Sequence, residues 1–236
     1  MYRAHDLVES KGQEEMTETT IGPATRAADA VGGVDIRIED DASPIVRLIG
    51  RTLADSLRAN GLDSGTGVPE GTVAVRSHDT PQSATITIAD GVIAVSSGVF
   101  AESDLTMTID LNARCAPVGE PTGASDLAAA VRALLSPPLP DWRVAAETFW
   151  AAARAVPGIP DVLVAITEGP DGVAQHVVGA GETHYVIAGP PDLLAGVFSG
   201  ADDLIAALST GLVGVRGTLS QLSVLVAASW KVRYDV

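Results

Sequence analysis

The sequence predicts an α+β fold of mainly antiparallel sheet covered by helices, laid down as two repeated units. Three observations predict it. Helical apolar spacing opens and closes the ordered chain, alternating runs lie between, and the order helix, strands, helix occurs twice. The units read as residues 41–140 and 141–236, the first degenerate in its closing helices, behind a disordered acidic extension over 1–40. One α+β domain with an extended sheet is the alternative arrangement of the same elements.

The extension is polar and acid-rich, with Glu14, Glu15, Glu18, Asp35, Glu39, Asp40 and Asp41. Its alternating piece Val34-Asp35-Ile36-Arg37-Ile38-Glu39 predicts a short edge strand. Met16 offers a second start, and the first twenty residues lack the apolar core of a secretory signal.

Order begins at Ser43-Pro44, an N-cap followed by proline at the first helical position. Ile45, Leu48, Ile49, Leu53 and Leu57 then form one stripe, with Arg47, Arg51, Asp55 and Arg58 opposite, and Asn60-Gly61 closes the helix. Strands are predicted over 71–78, 83–89, 91–97 and 104–111, with Asp90-Gly91 as a hairpin turn. Ser125-Asp126 opens a helix carrying Leu127, Val131, Leu134 and Leu135, and Pro137, Pro138 and Pro140 mark a boundary.

The second unit starts with a helix from Asp141 carrying Trp142, Ala145, Phe149 and Ala153, stopped by Pro157-Gly158-Ile159-Pro160. Strands follow over 162–168, 173–179 and 183–189, and Asp171-Gly172 turns the chain where Asp90-Gly91 does in the first. Leu193, Leu194, Val197 and Phe198 share one helix face, and Leu204, Ile205 and Leu208 share the next. Gly200 and Gly211 sit where helix ends take left-handed backbone. After a strand over 212–216, Thr218 caps a last helix bearing Leu219, Leu222, Leu225 and Val226.

This closing order resembles the carboxy-terminal half of sterol carrier protein 2 domains. The matching stretches are Phe198-Ser199-Gly200, 204–211, 213–217 and 219–225, while 183–200 is similar to the family's strand that runs directly into the first of these helices. The resemblance covers about 161–231 and rests on pattern, with no catalytic signature. It implies an apolar ligand held between the sheet and the C-terminal helices. By position it places Leu193, Val197, Phe198, Leu204, Leu208, Leu219, Leu222 and Val226 beside that cavity, with Trp230 and Tyr234 as lids or plain packing. Leucines at helical spacing also build ordinary cores. Here aromatics are 4% of the chain, so small side chains close over the sheet and leave room for a ligand. The expected function is therefore non-catalytic binding or transfer of a sterol-like or fatty-acyl lipid. The alternative is a structural or protein-interaction module with a collapsed cavity, as in accessory domains of similar fold that serve assembly.

Charge and chemistry narrow the classes. Thirty acidic against 15 basic residues give a net charge of −15, which repels phosphate backbones and argues against nucleic acid and unaided docking on anionic membranes. No uncharged apolar run approaches the roughly 20 residues of a membrane span. The single cysteine, Cys115, fits a reducing cytoplasm and reads as a packed side chain. His176 and His184 lie on neighbouring predicted strands, but with only Glu182 nearby they match no zinc spacing and read as solvent-facing or pocket-rim residues. His78-Asp79, Gly179-Ala180-Gly181 and Glu39-Asp40-Asp41 lack the context for a catalytic pair, a dinucleotide turn or a calcium loop. No cofactor, metal or catalytic residue is expected; a homo-oligomer or protein partner is compatible with the pattern.

Overall fold

The structure is a computed structural model that describes residues 25–27, 34–60, 68–99, 102–169 and 172–234. Strand β1 (Thr25–Ala27) and strand β2 (Asp35–Glu39) lead into helix α1 (Pro44–Asn60). Then come β3 (Gly71–Ser77), β4 (Ser83–Ala89), β5 (Val92–Ser97), β6 (Leu105–Asp110), β7 (Ala116–Pro117), β8 (Thr122–Gly123) and helix α2 (Ser125–Leu134). They form one sheet in the order β1-β2-β5-β4-β3-β6-β7, with β8 also paired to β6.

Period-two alternation puts Ile36, Ile38, Val73, Val75, Ile86, Ile88, Ile93, Val95, Leu105, Met107 and Ile109 on one face, each buried. Helix α1 lays Ile45, Leu48, Ile49, Leu53 and Leu57 on them, and α2 adds Leu127, Val131 and Leu134. Each such side chain contributes about 1.5–3 kcal/mol by leaving water. The opposite face carries Thr85, Thr87, Ser96, Thr106 and Thr108 and needs no cover. At the β4–β5 turn Asp90 and Gly91 have φ of 51° and 73°, the left-handed pair a two-residue hairpin demands.

The second half begins with α3 (Trp142–Ala153), capped by the Asp141 carboxylate, which accepts from the Arg143 amide. After β9 (Val162–Gly169), β10 (Gly172–Gly179) and β11 (His184–Ala188) come α4 (Pro191–Ser199), α5 (Leu204–Ser209), β12 (Gly214–Arg216) and α6 (Leu219–Tyr234). The sheet order is β10-β9-β11-β12. Helices α3, α4 and α6 cover the face bearing Leu163, Ala165, Tyr185 and Ile187, with the rings of Phe149 and Phe198 5.4 Å apart. Helix α6 starts in a reciprocal cap: Thr218 Oγ1 accepts from the Gln221 amide, and Gln221 Oε1 accepts from the Thr218 amide.

The α+β class holds, but the antiparallel expectation is only partly right. Strand pairs β2–β5, β3–β6 and β9–β11 are parallel. In β3–β6 and β9–β11 an antiparallel hairpin occupies one side of its first strand and a later strand crosses to the free side, where it runs parallel. In β2–β5 the earlier strand β2 takes the free side of β5. The piece expected as an edge strand is β2, which lies between β1 and β5 with Ile36 and Ile38 in the core. The expected turn residue Asp171 and most of the expected extension lie outside the described residues.

Candidate functional site

Where the two halves meet, the polar side of α1 faces the turn after β6, the proline linker and the end of α4. A cavity of about 280 Å³ lies there. Its walls are Leu48, Arg51, Thr52 and Asp55 from α1, residues 113–117 from the turn, Ser136, Pro137 and Leu139 from the linker, and Gly200 and Ala201. Most of this lining is apolar, with a few polar groups among it, the usual make-up of a small-molecule site.

The turn holds two successive non-glycine residues in the left-handed region, Arg114 at φ 53° and Cys115 at φ 58°. Such residues cost about 1–3 kcal/mol each and persist where surrounding contacts fix them. Both are fixed here. Arg114 Nε donates to Asp202 Oδ1 at 2.8 Å and its Nη2 to Oδ2 at 2.5 Å, joining first half to second. Its Nη2 also donates to the Asp192 carbonyl. The Cys115 side chain is buried, which pushes its thiol up to about 11 although Thr52 bonds to it.

A third tie lies behind the cavity. Arg233 is 1% exposed, and its guanidinium donates to the carbonyls of Gly200, Ala201 and Leu111 at 2.8, 2.8 and 2.7 Å. Gly200 ends α4 at φ 78°, and an added Cβ would meet Arg233 Cα at 2.9 Å and Arg51 Nη1 at 2.9 Å. That glycine lets α1, α4 and α6 approach at one point.

The residues expected around a ligand lie elsewhere, in the second half. Val197, Phe198 and Leu204 are buried in its core, while Leu193, Leu208, Leu222 and Val226 are half-buried against it. Leu219 is 85% exposed. None of the eight lines the junction cavity. Trp230 is half exposed, its Nε1 donating to Asp203, and Tyr234 packs against the first core. His176 and His184 do not approach each other, because β9 lies between their strands and register puts them on opposite faces. His176 Nε2 instead meets Glu147 at 3.1 Å, and His184 Nε2 meets the Gly181 carbonyl. Among the described residues no three His, Cys, Asp or Glu side chains gather as a metal site. No described helix is long and apolar enough to cross a membrane.

Sequence reasoning missed Arg51, Arg114, Asp202 and Arg233 as junction residues. One signal was present: Arg233 continues the buried row Leu225, Ser229 on α6, where a charge needs a partner.

No protein-family model and no curated protein matches the chain. Two solution structures are similar over part of it. One is palmitated SCP2L2 from Aedes aegypti, 14% identical, covering 37% of this chain and 91% of its own, with a TM-score of 0.29. The other is a conserved hypothetical protein from Thermus thermophilus, described as a candidate sterol carrier protein. It is 19% identical and covers 40% of this chain and 85% of its own, with a TM-score of 0.27.

Proposed function

We propose that the protein binds an apolar lipid of sterol or fatty-acyl type without transforming it, on the α5–β12–α6 corner of the second half. One observation supports this reading. The α5–β12–α6 corner leaves Leu219 85%, Leu212 60% and Ile205 44% exposed, and keeps Leu208, Leu222 and Val226 only half-buried. A hydrocarbon tail laid there leaves water at about 0.8 kcal/mol per methylene. Apolar side chains grouped this way on a soluble surface mark a binding place. Binding without chemistry also fits Cys115, whose protonated thiol is no nucleophile at neutral pH. Titration with fluorescent fatty-acid and sterol analogues tests the proposal. Saturable binding that weakens in Leu222→Asp supports it; no saturable binding by either analogue ends it.

A second reading, a structural module that self-associates, is favoured by the uncovered face of the second sheet. Val177, Val164 and Val186 lie in one row across three strands, and Val177 and Val173 are 50% and 72% exposed on edge strand β10. That strand has no Lys or Pro to guard its edge. Light scattering decides: a ligand-free dimer lost in Val177→Lys favours assembly, and a monomer at all concentrations excludes it.

A further inference from the structure

We propose that the cavity between the halves is a second ligand site, for a small monocarboxylate with a short alkyl group, its carboxylate on Arg51 and its tail against Leu48, Pro137 and Leu139. Arg51 lines the cavity with its side chain 19% exposed. Its one recorded partner among the described residues is Asp55, with Nε to Oδ2 at 3.5 Å. Asp55 is held more closely by Arg58, at 2.5 Å. The Arg51 Nη groups are therefore left without an anion in a mostly apolar recess, and a guanidinium fork fits a carboxylate two bonds at a time. Arg114, the other cation in the wall, is already committed to Asp202.

Charge sets the head group. Arg114 is held by Asp202, and Arg233, whose charge also acts on Arg51, spends its donors on three carbonyls, so a single guanidinium fork is left for the head group. With the Asp55 carboxylate in the same wall, that matches a carboxylate better than a doubly charged phosphate. Volume sets the tail. About 280 Å³ equals the liquid volume of about nine waters, so an acid of six carbons fits and a sterol does not. Burial lowers the pKa of Arg51, Asp55 opposes the shift and the neighbouring charges of Arg58 and Arg233 add to it, and a bound carboxylate opposes it further. This site shares no residue with the α5–α6 corner, so it stands or falls apart from the lipid reading.

The test is titration of the full chain with sodium hexanoate and, in parallel, hexanamide, followed by calorimetry and methyl NMR. The expected result is saturable hexanoate binding with shifts at Leu48, Ala113, Leu139 and Ala201, and hexanamide weaker by about tenfold or more. In Arg51→Gln acid and amide should bind alike, and Arg51→Lys should restore part of the preference. Hexyl phosphate should bind more weakly than hexanoate. The acid–amide comparison on the unaltered chain decides the matter even where Arg51→Gln fails to fold. Equal binding of acid and amide, no saturation, shifts confined to Leu208, Leu222 and Val226, or tighter binding of hexyl phosphate would each overturn the proposal.

Discussion

Arg114 and Asp202, 88 residues apart in sequence, form a two-pronged ion pair that joins the turn after β6 to the end of α4. The Asp202 side chain is 11% exposed and that of Arg114 41%, so the pair lies between a surface bridge and a buried one. Asp202→Asn keeps the shape and removes the charge. It is expected to cost about 1–2 kcal/mol, between the surface and buried ranges. Urea denaturation checks it; a change within error would mean the pair is solvated like an ordinary surface bridge.

Arg233→Met strips donors from three carbonyls, those of Gly200 and Leu111 in buried bonds and that of Ala201 in a part-buried one, and leaves the space partly filled. A loss of about 3–5 kcal/mol is expected. All three tryptophans, Trp142, Trp150 and Trp230, lie in the second half, so their fluorescence reports that half, and methyl NMR of Ile45 and Leu48 reports the first. Both signals should move to lower urea, because the lost bonds reach Leu111 as well as Gly200 and Ala201.

Cys115 should react slowly with a disulfide reagent at pH 8. Burial holds its thiol protonated up to about 11 in the folded chain, against about 8.5 unfolded. The folded state thus keeps a proton that the unfolded state releases, so this group's contribution to stability falls as pH rises from about 8.5 to about 11. Labelling should follow unfolding as urea is added, and Cys115→Ala should flatten the alkaline loss of stability. Fast labelling of the native protein at pH 8 would contradict the assignment.

Asp161 gives the opposite slope in acid. Its carboxylate accepts from Thr183 Oγ1 and the amides of Thr183 and Glu182, which lower its pKa. Its contribution is full above the unfolded value of about 3.9 and is lost as pH falls through the depressed native value. Asp161→Asn should therefore reduce the dependence of the urea midpoint on pH below about 4, relative to the parent chain.

Much of the element list was legible because its signals are local. The stripe from Ile45 to Leu57 gave α1, Asp90-Gly91 gave the hairpin, and Gly200 and Gly211 both take left-handed backbone as expected, at φ 78° and 73°. Parallel pairing was not legible, since which edge β6 or β11 joins depends on where the previous hairpin already sits. The exposure of Leu219 was equally hidden: helical spacing places it with Leu222 and Val226, but it lies in the first turn, beyond the reach of the sheet. The junction was least legible of all. Arg114 meets Asp202 through two left-handed residues that carry no glycine to advertise the bend, and only assembled helices bring Arg51 to Gly200.

The Leu111–Arg233 bond also orders events in time. Synthesis runs from the amino end, so the carbonyl of Leu111 emerges 122 residues before the guanidinium that will satisfy it. A nascent first half must wait with that rim unsealed and open to stray partners, and the closing helix acts as the clasp that shuts it.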